Sequence, residues 1–186
     1  MATVTTTWTS PASATLDKAT GATIDETMTD AWSSNLYALG GTVGYIGARV
    51  FNSANLSITN ATDTALTFNS ETFDSDPNGA IHDTASAQAR LTIRTAGLYL
   101  FVAGVSFATN ATGYRQVYLR VNGTAVLASV TCPAVSASVQ TDIVVTAVNT
   151  MAATDFCEVI VVQTSGGALN VQALNYYSPY FMCAKV

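Results

Sequence analysis

From Gly47 onward apolar and polar residues alternate, with turn residues recurring at intervals of roughly 8–12 positions, which predicts an all-β sandwich or barrel. "GARVF" reads as the first strand. Residues 90–93 make a short one, ended by Thr95-Ala96-Gly97. Residues 98–107, "LYLFVAGVSF", are apolar at both alternating sets of positions, so one face fills a core and the other needs a cover from a second sheet or subunit. "YRQVYLRV" alternates and runs into Asn122-Gly123, a type I′ hairpin turn, after which "TAVLASV" returns antiparallel. "VQTDIVVTAVN", "DFCEVIVVQT", "ALNVQAL" and the closing "SPYFMCAKV" complete a set of about eight to ten strands. In the last of these, Tyr180, Met182 and Ala184 oppose Phe181 and Cys183.

The first part of the chain has a different period. In "TIDETMTDAWSSNLYALGG", Thr23 and Glu26 form a T-x-x-E capping box, and Asp25 and Glu26 put negative charge where the helix dipole favours it. Ile24, Met28, Trp32, Leu36 and Leu39 recur at helical spacing, and Gly40-Gly41 supplies the stop. The spacing predicts one α-helix over about residues 24–39. A lone helix of this length is marginal in water, so its stripe must pack on its own domain, on sister subunits or on a partner. The expected organisation is an N-terminal docking or assembly arm over residues 1–46, which also contains Trp8, and a β domain over residues 47–186.

Composition narrows the function. Charged residues make up 10% of the chain, against roughly 25% in typical domains, and the 49% that is hydrophobic is broken up by Thr, Ser and Asn. No stretch approaches the ~18 apolar residues of a membrane span. The net charge is −5 and the seven basic residues are scattered, so no phosphate-tracking surface and no nucleic-acid partner are expected. "MATVTTTWTS" shows no basic start or apolar stretch of a secretory signal. The sequons at Asn55, Asn60, Asn110 and Asn122 read as coincidence in a Thr-rich chain. Cys132, Cys157 and Cys183 lack CxxC spacing, which argues for buried thiols rather than zinc; an intermolecular disulfide is the alternative.

The strand beginning at Gly97 carries a recognisable pattern. Gly97, Tyr99 and Phe101 spell G-x-Y-x-F, with Leu91 and Ala103 at the flanking positions usually held by aromatics. With the strand order around it, this resembles the complement globular-head and tumour-necrosis-factor superfamily. The resemblance covers residues 47–186 and implies an antiparallel jelly-roll sandwich and a homotrimer. Tyr99, Phe101, Phe107, Tyr118 and Phe181 would then pack either at the three-fold axis or in the sandwich core. A narrower resemblance is to tailed-bacteriophage virion proteins with this domain, which read "FDTD", a His and an Asp or Ser before the G-x-Y strand. It implies a capsid decoration or head fibre on the virion exterior. Other virion proteins would bind through the arm, and a host-surface glycan would be a further partner. The alternatives are a tail-tip receptor-binding protein, or a secreted lectin or ligand of the same superfamily.

"FDSDPNGAIHD", residues 73–83, is the segment that looks most like chemistry. With Asp74 at the first position of a calcium loop, Asp76, Asn78 and Gly79 fit, but the twelfth position is Ala85, so the bidentate carboxylate is missing. A weaker calcium site would use Asp74, Asp76 and Asp83. His82 and Asp83 could be half of a triad, yet no G-x-S-x-G or other nucleophile motif accompanies them. Asp-Pro-Asn-Gly instead specifies a tight turn. The expectation is a non-enzymatic protein with no cofactor, whose recognition or assembly surfaces are its function.

Overall fold

A computed structural model describes residues 45–175 and 177–186. Twelve strands occur among them: β1 (Gly47–Phe51), β2 (Leu56–Ile58), β3 (Thr64–Ala65), β4 (Ser70–Ser75), β5 (Arg90–Thr92), β6 (Gly97–Phe107), β7 (Tyr114–Val121), β8 (Ala125–Pro133), β9 (Thr141–Met151), β10 (Phe156–Gln163), β11 (Leu169–Val171) and β12 (Tyr180–Lys185). Two antiparallel sheets form. One runs β2-β11-β6-β12-β1-β4 with β9 on the other side of β6; the other runs β3-β10-β7-β8 with β5 also on β10. The jelly roll is therefore present, and the fold-class expectation is corrected in one respect. It attached an α-helix to the sandwich, and no helix occurs among the described residues, whose period-two pattern supports strands alone. The stripe over 24–39 and the arm residues Trp8, Ile24, Met28, Trp32, Leu36 and Leu39 lie outside the described residues.

Among the strands that the sequence did not separate are the short β2 and β3, three and two residues long. So few residues cannot show a period. The "FDSD" half of the suspected turn is also extended: Phe73 and Asp74 belong to β4 and pair with β1.

The core lies between the sheets, on the inward set of each alternation. Tyr99, Phe101 and Phe107 of β6 and Phe181 of β12 are fully buried in it. Phe68, Phe181, Phe101 and Tyr99 form a row of rings with successive centroids 6.0, 6.2 and 6.2 Å apart, within the range in which aromatic pairs attract. The Tyr99 hydroxyl donates to the Thr95 carbonyl at 2.6 Å, so this ring satisfies its one polar atom while buried. Burial, with the charge of Asp76, pushes its pKa up to about 12. The expected hairpin turn is present: Asn122 and Gly123 have φ of 51° and 70°, both positive as type I′ requires.

One buried residue breaks the apolar pattern. Arg115, first inward position of β7, is fully buried beneath the segment that precedes it. It donates to the carbonyls of Asn110, Thr112 and Tyr114 at 3.0–3.2 Å. No carboxylate pairs with it among the described residues, and its Nε has no hydrogen-bond partner.

Candidate functional site

The segment around His82 is built as a connector. Asp74 accepts the backbone N–H of Ile81 (3.1 Å) and of His82 (2.9 Å), so the end of β4 holds the loop that follows it. Asp76 accepts from the N–H groups of Asn78 (2.9 Å) and Thr95 (3.1 Å) and from the Thr95 hydroxyl (2.8 Å). Asp83 accepts from the N–H groups of Ala85 and Ser86 and from the Ser86 hydroxyl, and these bonds hold its pKa down to about 2. Each carboxylate is thus engaged with protein donors, Asp74 and Asp83 within the connector and Asp76 partly with Thr95 beyond β5. No group of three or more His, Cys, Asp or Glu side chains among the described residues could hold a metal ion.

His82 is buried with both ring nitrogens engaged, Nδ1 with Glu71 Oε1 at 2.9 Å and Nε2 with the Gln88 carbonyl at 3.3 Å. A general base needs a nitrogen within reach of a substrate proton, and here neither faces solvent. Cys157 and Cys183 are buried, and desolvation raises both thiols, Cys183 to about 12, away from the thiolate a nucleophile requires. Cys132 is half-buried and raised for the same reason. Among the described residues, neither the His82 segment nor the three cysteines is arranged for catalysis, and the accessible apolar surfaces lie elsewhere.

The first is the outer face of the seven-stranded sheet. Across it run three cross-strand rows: Val148–Leu100–Ala184, Thr146–Val102–Met182–Arg49, and Val144–Gly104–Tyr180–Phe51. Val144 and Val148 are 57% and 59% exposed, and Leu98 at the end of β6 is 43% exposed. The only charged side chain in the three rows is Arg49, whose guanidinium lies 4.8 Å over the Tyr180 ring. This is the second apolar face that the "LYLFVAGVSF" pattern required. The second surface adjoins it: the edge where β8 and β9 meet exposes Val130, with Val135 and Val139 in the connection between the strands, while Val126, opposite Arg120, is exposed on the other face of β8. Contiguous apolar surface like that of the three rows is a candidate interaction site.

Tyr118 sits apart from the other aromatics. It packs with Ile160, Val162 and Ala65 on the outer face of the five-stranded sheet, and its hydroxyl donates to Asp63 at 2.7 Å. Burial and this carboxylate push its pKa up to about 12. Sequence reasoning missed Arg115 and the β8–β9 edge. A charged residue opening a strand reads as exposed, and an edge is a property of strand order rather than of any one strand.

Among solved structures the domain is similar to murine APRIL, at 10% identity and a TM-score of 0.59, covering 77% of this chain and all of that one. It is similar to the Eiger TNF of S. frugiperda at 12% identity and a TM-score of 0.55, covering 76% and 92% of the two chains. The globular domain of zebrafish complement 1qA protein matches at 17% identity and a TM-score of 0.50, covering 76% and 97%. No protein-family model matches the chain, and no curated protein matches it. At these identities the likeness establishes the fold, a tumour-necrosis-factor and complement-type jelly roll.

The narrower expectation of a phage virion protein, as capsid decoration or head fibre, is corrected. The similar structures named above are animal proteins and none is a virion protein. The residues of 73–83 that suggested it have structural duties: Asp74, Asp76 and Asp83 accept backbone N–H groups, and His82 is buried against Glu71. Such residues mark the sandwich, not where it is mounted.

Proposed function

We propose that this chain is a homotrimeric, extracellular recognition module, a ligand or receptor-binding domain. The observation that carries the reading is the apolar outer face formed by β6, β9 and β12, which adjoins the valine-bearing β8–β9 edge. Two different apolar surfaces on one subunit suit a heterologous contact, edge of one copy on face of the next, and such a contact closes when its rotation closes. Three-fold closure is what the tumour-necrosis-factor and complement resemblance implies. Residues 1–46 then serve as the arm that attaches or steadies this trimer.

Native mass measurement and light scattering on the full chain test the reading. A trimer is expected, and Val148→Asp, which puts a charge on an exposed face position, is expected to give folded monomer. A wild-type monomer at micromolar concentration would sink the proposal. So would a Val148→Asp trimer of undiminished stability. A chain lacking residues 1–44 is expected to remain a folded trimer; monomer would make that segment part of the assembly rather than an attachment.

A further inference from the structure

The outer face of the five-stranded sheet carries a row of three charges. Glu158 of β10 is the cross-strand neighbour of Arg90 on one side and of Arg120 on the other. Its Oε2 accepts from Arg120 alone, from Nε at 3.2 Å and Nη2 at 3.0 Å. Arg90 makes no ion pair among the described residues; its guanidinium lies over the Phe156 ring, 4.8 Å from the centroid. The ring holds the planar fork in place and leaves its N–H edge unspent. Glu158 Oε1 accepts no hydrogen bond from any described residue.

These unused groups border one cavity. β3 and β5 both pair with β10, at Ile160–Val161 and at residues 156–158, and between them the chain turns inward to bury Leu66 and Phe68. The detour leaves a notch of about 410 Å³ in the sheet edge, lined by Thr67, residues 85–89, Arg90 and Glu158. That volume is near the low end of ligand sites, which run from roughly 300 to 1,000 Å³. It suits a single sugar ring better than an extended ligand.

We propose that this notch binds a carboxylate-bearing sugar residue, with Arg90 clamping the carboxylate and Glu158 Oε1 accepting from a ring hydroxyl. The fork of Arg90 matches a carboxylate in two parallel hydrogen bonds. The Glu158 carboxylate selects against a bare phosphate or sulfate, because its negative charge repels a dianion, while its open oxygen calls for a hydroxyl donor. A ligand that carries both an anion and hydroxyls meets both demands, and Thr67 also lines the notch. One shallow site of this kind binds weakly, in the range of about 1 mM, and three on one trimer gain by avidity. That gain rests on the trimer proposed above; the site itself does not.

The test is an NMR titration of the ¹⁵N-labelled full chain with methyl β-glucuronide, methyl β-glucoside and acetate in parallel. Glucuronide is expected to shift the amides of residues 85–90 saturably, with little response to the other two. Arg90→Gln is expected to weaken binding at least about tenfold. Its thermal midpoint reports that it folds, and Arg90→Lys, which keeps the charge and loses the fork, decides the question if it does not. No shift with about 50 mM glucuronide, far above the expected Kd, overturns the proposal. Undiminished binding by the Arg90 variants, or an equal response to acetate, also overturns it. The native mass of the same sample separates the two readings. A trimer without binding removes the site alone, and a monomer that binds removes the trimer alone.

Discussion

Asn122 donates from Nδ2 to Asp155 Oδ1 at 2.8 Å, and its own Oδ1 accepts from the backbone N–H of Phe156 at 2.9 Å. One side chain thereby ties the turn between β7 and β8 to the turn between β9 and β10. The same residue supplies the positive φ of 51° that its hairpin requires. Asn122→Ala loses both contributions and is expected to cost about 1–3 kcal/mol, read from urea midpoints. Asn122→Gly, which keeps the backbone freedom and loses the bonds, should fall between the two.

The same bond gives a pH dependence of defined sign. The Asn122 amide, with the Ala152 N–H, holds the Asp155 carboxyl below its ordinary range. The unfolded chain therefore takes up this proton first as pH falls. The contribution is fully present above the ordinary carboxyl range near about 4 and is lost as pH drops through the folded value. Asp83, held down to about 2, acts with the same sign. Urea midpoints measured from neutral pH into acid should fall, and Asp155→Asn should flatten that slope in part, leaving the share due to Asp83. An unchanged slope would remove Asp155 from the account.

Val130, 38% exposed on the outermost strand of the five-stranded sheet, is on the edge surface of the proposed trimer. Val130→Asp should dissociate the assembly as Val148→Asp does, though the two residues lie on different surfaces. The double variant should be no more dissociated than either single one, since one contact uses both surfaces. Sedimentation velocity distinguishes this from a face-to-face contact, for which Val130→Asp would leave the mass unchanged.

Gly104 is where Tyr180 lies flat against the sheet. The two are cross-strand partners, and a Cβ at position 104 would come within 2.1 Å of the Tyr180 ring. The ring is held from its other surroundings by Arg49 at 4.8 Å, so it cannot swing away without losing that contact. Gly104→Ala is expected to destabilise by about 1–3 kcal/mol. Tyr180→Ala in the same background should recover part of the loss, and thermal melts of the three variants measure it.

Arg115 spends its guanidinium on three carbonyls, those of Asn110, Thr112 and Tyr114. Arg115→Met would fill much of the space and leave those acceptors without donors, at an expected cost of about 2–4 kcal/mol in chemical denaturation. A variant as stable as wild type would show that solvent replaces the guanidinium without penalty.

Much of the sandwich was legible along the chain because a half-buried strand writes its two faces as alternate residues. The pattern of residues 98–107 even required a cover for its second face, and the structure places that face across Leu100, Val102 and Met182. Asn122-Gly123 specified its hairpin locally, since only a residue tolerant of positive φ fits there. The short strands β2 and β3 were not legible, because pairing with distant partners, not their own period, makes them strands.

The suspected chemistry of residues 73–83 divided in the same way. Sequence alone determined that the segment turns and that it lacks a calcium loop's last ligand. Tertiary structure decided what its acids do, by bringing Thr95 to Asp76 and Glu71 to His82. It also decided that Arg90, exposed and ordinary as a sequence position, stands unspent beside a notch at Glu158. Local pattern reports which face of a strand a residue occupies. Which residues meet across strands depends on register and strand order, and those are settled by the packing of the whole core.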